Sequence, residues 1–250
     1  MDVGRINYFG WVFWVLLVSV VEVGCAKRMP VGVSPLASAN FADSAVAELA
    51  LAAERGDISK MDSMVRTGAD INGEGVEGIT PAWWAIYHGK LRSFSWLLDH
   101  GASPNPSVAT LSIVDLAARM SDSCYLREAI KHGVDVNYIG GSSRSALNSA
   151  IGFDRMDNFK ILLANGADVN QIEGGLPLAF AANLDAYKYV FLLLKAGADP
   201  AKTLDGRRSA LALAIGSGYV KPGSEAFVWR EKVIKILNEK GIEVVLREKQ

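Results

Sequence analysis

The residues of this 250-residue chain that could do chemistry are few: three histidines, two cysteines and a scatter of carboxylates. The histidines are His88, His100 and His132. His100 and His132 each precede a glycine at what reads as a helix C-terminus, where an imidazolium sits well in the helix dipole. They stand one structural period apart, roughly 10 Å, too far to share a zinc ion. Gly140-Gly141 and Gly174-Gly175 fall in hairpin loops and do not open a strand–helix phosphate loop. Most carboxylates read as turn formers, and none pairs as acid and base. Cys25 and Cys124 cannot make a disulfide framework, and Cys124 reads as a small buried residue. The expectation is therefore a protein that is not an enzyme. No catalytic centre, cofactor, metal or small-molecule substrate is expected.

The elements that carry these residues recur. Gly68-Ala69-Asp70-Ile71-Asn72 returns as Gly101-Ala102-Ser103-Pro104-Asn105 and Gly133-Val134-Asp135-Val136-Asn137. It returns again as Gly166-Ala167-Asp168-Val169-Asn170 and Gly197-Ala198-Asp199-Pro200, with glycine spacings of 33, 32, 33 and 31. Self-similarity at that period predicts a stack of small helical units in place of one globular core.

The second unit shows the local logic. Thr80 suits an N-cap and Pro81 the first helical position, where a missing N–H costs nothing. Ala82–Tyr87 reads as a first helix and Gly89 breaks it. Leu91–His100 reads as a second helix, with Phe94, Leu97 and Leu98 at i, i+3, i+4 on its inner side. Gly101 supplies a left-handed cap, and Ser or Asp with Asn turns the chain into a loop. Trp84 and Trp96 read as core, and Trp83 as half exposed.

This helix–turn–helix with its hairpin loop resembles the ankyrin repeat. Thr80, Ser112, Ser145 and Leu176 each lie 21 residues before a cassette glycine, at the family's Thr position. The likeness covers residues 43 to about 246. It implies an all-α ankyrin-repeat solenoid of about six helix-turn-helix repeats with hairpin loops. The family's histidine is Trp83, Asp115, Asn148, Ala179 and Ala212 here, so apolar contact is expected to carry more of the stack. The third unit matches worst, and low local stability is expected there. The sixth, from Ser209 to Gly241, carries an 11-residue excess placed in Gly216–Trp229.

The N-terminus differs in kind. Tyr8–Gly24 is almost wholly apolar, short for a bilayer span and long for the apolar part of an export signal. Val23-Gly24-Cys25 resembles the end of a bacterial lipobox, which implies lipidation at Cys25. Glu22 and the weak positive charge at Arg5 depart from that pattern. Three readings stay open: a lipoprotein, an uncleaved anchor and a cleaved signal. The domain reading is residues 1–25 as signal or anchor, 26–42 as a Pro-, Ser- and Ala-containing tether, and 43–250 as the repeat domain. The implied location is the bacterial envelope, facing the periplasm, with the membrane engaged through the N-terminal segment.

A net charge of −1 with 21% charged residues argues against a nucleic-acid partner. What remains is a surface for another protein. Ankyrin proteins bind partners at loop tips and at the exposed ends of the first helices, on the concave face. By that resemblance the contact residues are Glu77, Ile79, Tyr87, His88, Arg119, Met120, Arg144, Phe153 and Leu184. Tyr, Phe, Met and Arg are enriched in interface cores. The architecture is similar to that of exported immunity proteins, which implies inhibition of a secreted toxin or lipase effector by steric occlusion. The alternative is an envelope scaffold that assembles or protects another protein.

Overall fold

The computed structural model describes residues 34, 36–105, 112–140, 144–202, 215, 220–242 and 244. Among them lie one short leading helix, five helix pairs and one long closing helix. The leader is α1 (Ala37–Asn40). The pairs are α2 (Ser44–Arg55) with α3 (Ile58–Arg66), and α4 (Pro81–Tyr87) with α5 (Leu91–Asp99). They continue as α6 (Ile113–Arg119) with α7 (Cys124–Lys131), and α8 (Ala146–Gly152) with α9 (Met156–Ala164). The fifth is α10 (Pro177–Asn183) with α11 (Tyr187–Lys195), and α12 (Glu225–Glu239) packs on α11. First helices pack on first helices along the stack, α2 on α4 on α6 on α8 on α10. The all-α paired stack expected from the period is thus the observed one.

Local chemistry sets each pair. Thr80, Ser112 and Ser145 accept from the N–H three residues on, at 3.2, 3.1 and 3.2 Å, and so satisfy an orphan donor of each first helix. The cassette glycines end the second helices in the left-handed region, as at Gly101 with φ 98°. The following N–H closes back five residues, Ala102 to Leu97 at 2.9 Å and Ala167 to Leu162 at 3.0 Å. Only a residue without a Cβ adopts that bend cheaply.

The cassette asparagines tie neighbouring loops. Asn72, Asn105, Asn137 and Asn170 donate to the carbonyls of Gly101, Gly133, Gly166 and Gly197 at 3.1 to 3.3 Å. Each side-chain oxygen accepts the N–H two residues past that glycine, at Ser103, Asp135, Asp168 and Asp199. Asn148, at the histidine position, donates to the carbonyls of Gly174 and Gly175 at 2.7 Å each. Amides therefore carry hydrogen bonds between repeats in a stack expected to lean more on apolar contact.

Four expectations need correction. Trp83, expected half exposed, is wholly buried, with its ring stacked on Tyr87 at 5.3 Å. Cys124, expected buried, is exposed at the first position of α7. The tether is not a tether throughout, because Ala37, Asn40 and Phe41 are buried and Phe41 meets Trp84 edge-on at 6.4 Å. Asn40 pins that turn, donating to the carbonyls of Ser34 and Leu36 at 2.7 and 2.9 Å. Finally, the excess placed in Gly216–Trp229 is partly helix: Ser224 accepts from the Phe227 N–H and starts α12 inside it. The remainder of that segment up to 219, Ile215 apart, lies outside the described residues, as does the apolar N-terminal run with Cys25.

Candidate functional site: a capped ridge and a charged groove

The first helices from α4 to α10 end on one register. His88, Met120, Phe153 and Leu184 are the C-caps of α4, α6, α8 and α10. These are four of the expected contact residues, brought into one series by the stack. Phe153 is the most exposed of them, at 36%. Glu77 is exposed on a short 3-10 turn with φ 57°, and Arg144 is half-buried before α8.

Two expected contact residues are not on the surface. Ile79 is 2% and Tyr87 8% exposed. The cause is the tryptophan pair of α4. Trp83 and Trp84 both turn inward, and Tyr87 lies one turn along on the same side, 5.3 Å from the first ring and 6.3 Å from the second. Burial pushes the Tyr87 phenol above its ordinary pKa. His88 joins this cluster 4.6 Å from Trp84, and Glu54 accepts from the indole N–H at 3.0 Å. The ridge in the first two repeats is thus folded in on itself.

In the third to fifth repeats it is open. The Arg119 guanidinium lies over the Phe153 ring at 5.4 Å, and Arg144 over Phe180 at 5.5 Å. Arg119 is held from below by Asp115, which is 1% exposed and also accepts from Ser149 Oγ. Burial, and then the neighbouring Arg119 charge, lower the pKa of Arg144. Phe180 escaped the sequence reading, although its i, i+4 spacing to Leu184 places both on one face of α10. Gly152 is its neighbour across the repeat boundary, where a Cβ would meet the Phe180 ring at an ordinary contact distance of 3.4 Å. Asn158 of α9 fixes the end of α6, donating to the carbonyls of Ala117, Ala118 and Met120 at 3.2, 3.0 and 2.9 Å. That bond set positions Met120 where the chain lacks the usual breaking glycine.

A second constellation lies between the second helices. His132 Nε2 is 3.3 Å from Asp99 Oδ1 and 3.2 Å from Glu128 Oε1. Among the described residues this is the one group of three that could hold a metal ion. Lys131 Nζ stands 3.0 Å from Glu128 and 3.8 Å from Asp99. Burial works against ionisation of Glu128, but hydrogen bonds from Lys131 and Ser95 outweigh it and hold the carboxyl below its ordinary pKa. A groove of about 530 Å³ beside it is lined by Arg92, Ser95, Trp96 and Cys124. The Asp122 carboxylate, through a hydrogen bond and then its charge, pushes the Cys124 thiol up, so the exposed sulfur is a poor nucleophile. The constellation is legible from Glu128 and His132 at i, i+4 and Asp99 one period earlier. Pairing histidine only with histidine overlooks it.

Residues 77–107 match the family model of the ankyrin repeat. Alpha-latroinsectotoxin-Lt1a of Latrodectus tredecimguttatus is 37% identical over 40% of this chain and 7% of its own length. The ankyrin repeat domain-containing protein SAT10 of Stachybotrys chartarum is 32% identical over 65% of this chain and 8% of its own. The potassium channel AKT2/3 of Arabidopsis thaliana is 27% identical over 61% and 19%. The chain therefore spans less than a fifth of the length of each of these relatives. No helix among the described residues is long and apolar enough to cross a membrane.

Proposed function

Taking as premise that this is an ankyrin-repeat protein, we propose that it is an envelope-anchored binding module that captures and inhibits another protein. Proteins built of such repeats are usually binding modules without enzymatic activity. The observation that carries the reading is the open ridge of Arg119, Met120, Arg144, Phe153, Phe180 and Leu184, where two arginines lie over two aromatic rings. Arginine and aromatic side chains in one partly exposed strip are the residue types that anchor interfaces. Their support by Asn158 and Asp115 pre-organises the strip, which reduces the ordering cost of binding. The partner is an incoming toxin or lipase effector, and the mechanism is occlusion of its active-site mouth. The lipobox-like end at Cys25 supports an anchor at the periplasmic face of the envelope, where tethering would raise the module's effective concentration.

The test is capture of partners from the native host by the wild-type chain and by Met120→Ala/Arg144→Ala/Phe153→Ala. Arg119 is left intact, because Asp115 beneath it needs the guanidinium. Loss of one captured protein with an unchanged thermal melt is the expected result. Equal capture by both chains rejects the ridge. If the captured protein is an enzyme whose turnover is undiminished by the wild-type chain, inhibition is rejected and scaffolding remains. For the anchor, Cys25→Ser is expected to release the chain from the membrane fraction, and retention sinks the lipoprotein reading.

A further inference from the structure

We infer that Asp99, Glu128 and His132 form a zinc site that clips the second repeat to the third. The ligand set is one imidazole and two carboxylates, groups that bind zinc through nitrogen and oxygen. Bonds of about 2.0–2.1 Å at tetrahedral angles put donor atoms roughly 3.3 Å apart. His132 Nε2 lies 3.3 Å from Asp99 Oδ1 and 3.2 Å from Glu128 Oε1, and all three donors fall within 4.8 Å of one another. Both pairs that include His132 therefore already have the spacing of a metal site, and the two carboxylates need only close on each other within that 4.8 Å.

The positions follow from the repeat. Glu128 and His132 stand at i, i+4 and so share one face of α7 and its cap. Asp99, the last residue of α5, is delivered beside them by the packing of α5 on α7. Ser95 Oγ donates to Glu128 Oε1 at 2.8 Å and orients the carboxylate, as partners of metal ligands do. Lys131 now supplies the positive charge. Its side chain is 61% exposed, so it can swing into solvent and yield its place. A divalent ion bound with a neutral imidazole balances both carboxylates. The adjoining groove leaves a fourth position open to water. The bridge would brace the third repeat, which departs furthest from the family pattern.

The test uses the untagged full chain in detergent, freed of metal and titrated with Zn(II), with Co(II) as a spectroscopic stand-in. One equivalent of Zn(II) is expected to bind, to raise the melting temperature, and to give tetrahedral Co(II) bands in the visible. His132→Ala and Glu128→Gln are each expected to weaken binding more than about tenfold, since loss of even an outer-shell partner costs that much. Lys131→Ala is expected to tighten it. Circular dichroism of the metal-free variants checks that they fold, and Glu128→Gln, nearly isosteric, keeps the test alive if His132→Ala does not. The inference is overturned if wild type binds no Zn(II), if either ligand variant that folds binds as tightly as wild type, or if Lys131→Ala weakens binding.

Discussion

Asn137 reaches across one repeat boundary to Gly166, donating its side-chain amide to that carbonyl at 3.1 Å. Its side-chain oxygen takes the Asp168 N–H at 2.7 Å, so one residue closes two bonds between successive loops. The same pair of bonds recurs at Asn72, Asn105 and Asn170. An amide carries its donor and its acceptor on separate atoms, whereas a carboxylate only accepts and a hydroxyl has one oxygen for both roles. Asn137→Ala should therefore cost about 1–2 kcal/mol, two modest net hydrogen bonds partly replaced by water. Urea unfolding measures it. An unchanged midpoint would show that the ladder is ornamental.

Asp115 titrates against the fold. Burial raises its pKa above the ordinary value, and the Arg119 charge with the Ser149 and Arg119 hydrogen bonds only partly offsets that. A carboxyl whose folded pKa is raised binds protons more tightly folded than unfolded. Its contribution is fully present below the unfolded value of 3.8 and is lost as pH rises through the folded one. Asp115→Asn lacks this dependence. Wild type should gain stability relative to the variant as pH falls from neutral into that window. Melting temperatures of both across the acid range check it, and a difference independent of pH defeats the claim.

The stack was legible because its signals are local. Gly101 needs a positive φ, Thr80 needs a donor three residues on, and both requirements are visible in residue type and spacing. The series of C-caps from His88 to Leu184 followed from counting alone. What escaped depends on neighbours. Trp83 fills the position of a smaller polar residue, and only the space between α4 and its flanking helices sends it inward with Tyr87. Phe41 reads as linker because its partner, Trp84, is far away in sequence. Asp99 and His132 read as exposed helix ends because each is ordinary alone, and they meet only once α5 lies against α7.

Gly174 and Gly175 separate strain from collision. Both have positive φ, 78° and 86°, so alanine at either pays roughly 1–2 kcal/mol for the left-handed bend. At Gly174 a Cβ would also stand 2.6 Å from the Ser145 backbone nitrogen, whereas at Gly175 the nearest atom is 3.6 Å away. Backbone cannot rotate aside as a side chain can. Gly174→Ala should thus destabilise clearly more than Gly175→Ala, and should also loosen the Ser145 cap that starts α8. Paired denaturation curves decide it, with equal losses counting against the contact.

Tyr189 of α11 donates its hydroxyl to Asp154 Oδ1 at 2.8 Å, and Asp154 holds a left-handed φ of 52° where α8 gives way to α9. The phenol therefore anchors a bend in the preceding repeat. Tyr189→Phe keeps the ring contact with Phe159, whose centroid is 5.0 Å away, and removes only the bond, at a cost of about 1 kcal/mol. Burial first, and then the bond to Asp154, raise the phenol's pKa above its ordinary 10.0. The folded state holds that proton more tightly, so the contribution is whole below the unfolded value and declines as pH climbs past it. The stability gap between wild type and Tyr189→Phe should consequently be constant at neutral pH and narrow above about pH 10. A gap that widens in alkali would mean the hydroxyl is ionised in the fold and the bond runs otherwise.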